Sequence, residues 1–161
     1  MGLNELSGVL WRERQLLELL LFKLEEEQLI LTSGRTQWLG HATREVESVL
    51  EQIRTAELGR SIEADEAARE IGVPEGSSLR LMAQKARPPW DDLLTEHHAA
   101  FVSLTDQIHA LAQSNRDLLS TSHRATRETL MGLQESVQTY DPRGSSASTT
   151  EDWAQLLDQA L

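Results

Sequence analysis

The sequence predicts an all-α protein: an elongated antiparallel three-helix bundle, coiled-coil-like in its packing, with a short connecting helix and a flexible C-terminal tail. Leu, which loses little freedom in a helix, occurs 27 times, against 11 for the β-branched Val and Ile together. The four prolines fall at 74, 88, 89 and 142, so long stretches contain no breaker. Within those stretches apolar residues recur at alternating spacings of three and four, the period of one helix face.

The first ladder runs through positions 3, 6, 10, 13, 17, 20, 24, 27 and 31, and seven of these nine are Leu. Glu13 and Glu27 are the exceptions, while Leu16, Leu19, Leu21, Phe22, Leu29 and Ile30 widen the stripe. The spacing predicts a helix over about 3–31, stopped at Thr32-Ser33-Gly34. A second ladder, Leu39, Ala42, Val46, Val49, Ile53 and Ala56, continues more loosely through Leu58, Ile62, Ala67 and Ile71, and ends at Gly72-Val73-Pro74. Gly76-Ser77 opens a short helix through Leu79, Leu81 and Met82 that Pro88-Pro89 closes.

The third long helix starts at Pro88-Pro89-Trp90, where proline loses no needed hydrogen bond. Its ladder is Leu94, His97, Phe101, Leu104, Ile108, Leu111, Asn115 and Leu118. From Ser120 to Thr129 the only apolar residue is Ala125, and after that gap come Leu130, Met131, Leu133, Val137 and Tyr140 before Asp141-Pro142. If this helix starts level with the first, residues past about 121 extend beyond the first turn with less to pack against. Residues 1–144 form the helical bundle. Residues 145–161 are a polar linker followed by a short amphipathic segment with Trp153, Leu156, Leu157 and Leu161 on one side.

The net charge of -11, with no concentrated basic patch, argues against nucleic acid as a partner. No apolar run is long enough for a signal peptide or membrane insertion, which places the chain in the cytoplasm. There is no cysteine, hence no thiolate zinc site and no cysteine nucleophile. The five histidines form no paired Glu-x-x-His motif, only Asp106-x-x-His109. His97 reads as an interfacial or core-edge residue rather than a metal ligand. With no Gly-x-Ser-x-Gly elbow, Walker loop or His-Glu-x-x-His, the sequence gives no sign of an enzyme, a cofactor or a metal. Asn115, at a core-type position, either bonds to a neighbouring helix at the core edge or fixes register from within. Trp38 and Trp90 follow turns and are expected to cover the bundle ends.

Leu130, Leu133 and Val137 share a helical face beyond the polar gap, and the alternatives are a groove for a partner helix or a surface covered by the second helix or the connector. Trp153, Leu156, Leu157 and Leu161 are a second candidate contact, docking on a partner or back on the bundle.

Five stretches in this order, Leu3-x-x-Leu6, Leu24-Glu25-Glu26-Glu27, Pro88-Pro89-Trp90, Asn115-Arg116-Asp117-Leu118-Leu119 and Thr139-Tyr140-Asp141-Pro142-Arg143-Gly144, resemble the FlgN-type flagellar export chaperones over roughly residues 3 to 144. The resemblance implies a cytoplasmic chaperone that binds terminal helices of hook-associated (hook-filament junction) proteins, prevents their aggregation and delivers them to the flagellar type III export gate. Within that role, the spacing of Leu130, Leu133 and Val137 beyond the polar gap makes them the expected lining of the cargo groove, and Trp153, Leu156, Leu157 and Leu161, in a tail that matches no family pattern, are the second candidate cargo contact. In the resembling family a tyrosine near the end of the long helix docks on the gate, and Tyr140 is the matching position; its alternative is to pack over the last helical turn. The competing reading of the whole chain is a structural coiled-coil adaptor that self-associates through its Leu-rich stripe.

Overall fold

The computed structural model describes the backbone over residues 2–140 and the side chains over 2–135. Four helices follow in order: α1 (Gly2–Ser33), α2 (Leu39–Ile71), the short α3 (Leu79–Lys85) and α4 (Trp90–Tyr140), with one 3₁₀ turn at Thr36–Trp38. Each predicted helix is present, and no strand occurs among the described residues.

The stops have visible causes. Gly72 adopts φ 76°, which a side chain would strain; its N–H and that of Val73 donate back to the carbonyls of Arg69 and Ala68, closing α2. The Ser78 hydroxyl caps α3 by accepting from the Leu81 N–H at 3.2 Å.

Side-chain pairings give the topology. Lys23 meets Glu45 at 3.0 Å and Glu13 meets Arg60 at 3.3 Å, so α2 runs antiparallel to α1. Arg14 meets His97 and Gln28 meets Ser114, so α4 runs parallel to α1. The central helix is α1: α2 and α4 each lie along it, and their own backbones scarcely approach each other. At one end α1 nears α2 so closely that a Cβ on Gly2 would lie 2.8 Å from the Ala67 backbone nitrogen.

The interior is layered. Leu3, Leu6 and Leu10 pack with Ala67, Ala68, Met82, Ala83 and Leu94, drawing all four helices together. Leu20 and Leu24 pack with Val46, Val49 and Ile53, and Ile108 and Leu111 close the cluster from α4. Between these clusters lies a polar layer of Glu13, Arg14, Arg60 and His97, and beyond the second lies another, of Glu27, Thr43 and Asn115.

Some apolar positions face outward. Leu19, Phe22 and Leu29 lie on the side of α1 away from the clusters and are exposed, so they do not widen the buried stripe. On α2 the buried track passes from Ile53 to Ala67 and Ala68, with Ala64 partly buried. Leu58 and Ile62 therefore sit on the reverse face and are exposed. Trp90 packs on the first cluster, as a bundle-end cover should. Trp38 does not: it is 52% exposed and tilts against His41.

Candidate functional site

The pairings that make α4 parallel to α1 also set how far it overshoots. Ser114 is level with Gln28, so Ser33 at the end of α1 lies level with about residue 119, and α4 continues to Tyr140, about 30 Å further. The overhang read from helix lengths is thus present.

Two polar layers hold α4 in this register. Asn115 is 2% exposed, and its Nδ2 donates to the Leu24 carbonyl at 2.9 Å and to Glu27 Oε1 at 3.1 Å. Thr43 Oγ1 donates to the other Glu27 oxygen at 3.4 Å, so one carboxylate ties α2 and α4 to α1. Of the two placements the sequence leaves open, Asn115 takes the interior one. Eighteen residues earlier, His97 is 1% exposed, with Arg14 Nη1 3.4 Å from its Nδ1 and the Trp11 ring edge-on at 5.0 Å.

His97 is neutral in this setting. Its Nδ1 accepts from the guanidinium, and its Nε2 is buried without a partner. Burial first, and then the Arg14 charge, hold its pKa below the ordinary 6.5; Glu96 opposes them weakly. Below that ordinary value the unfolded chain takes up a proton that the folded chain resists. Stability is therefore full above about pH 6.5 and drains as pH falls toward the depressed folded value. Thermal melts between pH 7 and pH 5 should show a falling midpoint, and His97→Gln should flatten that part of the slope. An equal slope in the variant would assign the effect to other groups.

Beyond residue 119, every described side chain from Ser120 to Leu133 is exposed except His123, which is partly buried. Leu130 is 44% and Leu133 59% exposed. Neither is covered by α2 or by the connector, because α3 packs at the opposite end, beside Leu94. Met131, which does not share their face, is 62% exposed next to them in the chain. Leu130 and Leu133 continue the spacing that runs through Leu104, Ile108, Leu111 and Asn115, so they lie on the face α4 turns toward α1. The overhang presents an unoccupied continuation of the bundle's own interface. Val137 and Tyr140 lie on α4, but their side chains fall outside the described residues, as do Trp153, Leu156, Leu157 and Leu161 entirely.

A separate groove of about 530 Å³ lies between α1 and α2, with Val9, Leu16 and Ala56 as its apolar floor and Arg12 and Glu51 at its edge. No helix among the described residues is long and apolar enough to cross a membrane.

No curated protein and no solved structure matched the chain. A family model did: that of the FlgN protein, over residues 1–148. The match takes in the whole of the described bundle, its overhang included, and the chain belongs to the FlgN family.

Proposed function

We propose that the α4 overhang is the platform on which this chaperone holds the terminal helices of hook-associated (hook-filament junction) proteins, keeping them from aggregating until they reach the flagellar export gate. FlgN-family membership brings the general role, that of a flagellar export chaperone. The observation that supports this particular site is the exposure of Leu130 and Leu133, in phase with the buried face of α4 but past the end of α1. A partner helix with apolar residues at i, i+3 and i+7 would take there the place that α1 takes in the bundle. Holding and releasing such a helix needs no catalytic group and no cofactor. Loading before export places the work in the cytoplasm.

The remaining assignments belong to the same proposal. Val137 extends the cargo face, Trp153, Leu156, Leu157 and Leu161 add a second cargo contact, and Tyr140 docks the loaded chaperone on the gate. A tyrosine suits a partly exposed contact, since its ring buries area while its hydroxyl still bonds.

Leu130→Asp with Leu133→Asp should weaken binding of a junction protein's terminal segment by about 100-fold or more. Helix content by circular dichroism should stay at the parent's level, because neither residue is in the core. Loss of helicity in step with binding would make these core positions and end the proposal. Tyr140→Ala should keep cargo binding near the parent's while reducing export of the junction protein from the cell; secretion equal to the parent's would remove Tyr140 from the gate. The self-associating adaptor has its own signature, concentration-dependent assembly without cargo, which sedimentation of the purified chain would reveal.

A further inference from the structure

The polar stretch of α4 between the bundle and Leu130 has an unusual charge pattern. From Trp90 to Asn115 the helix carries Asp91, Asp92, Glu96 and Asp106 and not one Lys or Arg. From Arg116 to Arg127 it carries Arg116, Arg124 and Arg127 against Asp117 alone, in a chain of net charge -11. These arginines are not equivalent. Arg124 has Glu128 four residues on, on the side of the helix away from the apolar face. Arg116 and Arg127 have no acidic residue three or four positions away in either direction, and neither makes an ion pair among the described residues. Both are exposed. Spacings of 7 and 4 through Arg116, His123 and Arg127 place these three on one stripe, and Arg127 lies one turn before Leu130 and Met131.

We infer that this stripe recognises acidic residues along one flank of the docked helix. The inference rests on the reading of the overhang as the cargo platform and adds the chemistry of the cargo. The occupant is an amphipathic helix of about four turns that lies on α4 as a continuation of α1. Its apolar face meets Leu130 and Leu133, and its Glu or Asp side chains lie beside Arg116 and Arg127. From residue 119, level with the end of α1, to Leu133 is about 21 Å along the helix, which sets that length, and Arg116 lies about one turn before its start, within reach of an acidic residue in its first turn. Two observations support this occupant: the overhang face continues the α1–α4 interface, and the unpaired arginines complement negative charge. The chain's net charge of -11 disfavours such a helix over most of its length, so the arginines favour its settling on the overhang.

Two labelled synthetic helices test this, identical in their apolar i, i+3, i+7 pattern but carrying Glu or Lys at the flanking positions, titrated with the full chain. The Glu peptide should bind about tenfold more tightly at low salt, and 0.5 M salt should remove most of the difference. Arg116→Glu with Arg127→Glu should reverse the preference while leaving helix content unchanged. Equal binding of the two peptides, or a preference that survives the double charge reversal, would overturn the inference. Leu130→Asp separates this outcome from failure of the underlying reading. If it weakens both peptides alike while the charge preference is missing, the platform stands and the acidic flank falls. If it weakens neither, or if neither peptide binds the parent chain, the platform falls and the inference with it. A chain dimer that the Glu peptide does not dissociate would assign the stripe to a second copy, again overturning the inference.

Discussion

Asn115→Asp is expected to cost about 3–5 kcal/mol of folding stability at neutral pH, although it changes no more than the terminal group of one side chain. The native amide donates to Glu27 Oε1 at 3.1 Å from a site that is 2% exposed. A carboxylate there turns that donor into a second buried negative charge, and Thr43, 3.4 Å from the other Glu27 oxygen, is too weak a donor to offset it. Lowering the pH should restore much of the loss, because once one of the two groups is protonated it can donate to the other. Urea unfolding at pH 7 and pH 4.5 checks both halves. A variant as stable as the parent at pH 7 would show that water reaches Glu27 and that this layer does not hold the register of α4.

Glu13→Leu should act in the opposite direction, raising stability by about 1–4 kcal/mol. Glu13 is 3% exposed, and its Oε2 lies 3.3 Å from Arg60 Nε yet receives no aligned hydrogen bond. Burial, the dominant influence, pushes its pKa up despite the Arg60 charge. A group whose folded pKa is raised contributes fully below its ordinary value, here 4.5, and loses that contribution as pH rises through the folded value. At neutral pH it is a cost that leucine removes. Arg60→Ala keeps the carboxylate and takes away its partner, so it should destabilise. Thermal melts of both variants decide the matter: a Glu13→Leu chain that melts below the parent would mean the ion pair outweighs the desolvation of its carboxylate.

These two glutamates also show where the sequence is silent. The three-four ladder correctly marks Leu3, Leu6, Leu10, Leu20 and Leu24 as core, and by the same spacing it puts Glu13 and Glu27 at core positions. Whether a glutamate on such a ladder is buried depends on what faces it, and Arg60, Thr43 and Asn115 come from other helices. On α2 the failure has a different cause. Leu58 and Ile62 are the large apolar residues, but Ala67 and Ala68 are what the close approach of α1 admits, so the small side chains are inside and the large ones outside. The overhang was legible because it follows from helix lengths and from the phase of Leu130 and Leu133 alone. That Arg116 and Arg127 make no ion pair among the described residues was not, since pairing across helices cannot be read from the sequence alone.

Amide hydrogen exchange on the full chain, with and without a junction protein's terminal helical segment, tests most directly whether the overhang carries the cargo. New protection is expected over residues 120–140 of α4, with α1 and α2 unchanged. Protection confined to the α1–α2 groove around Val9, Leu16 and Ala56, with residues 120–140 exchanging as they do in the free chain, would contradict it.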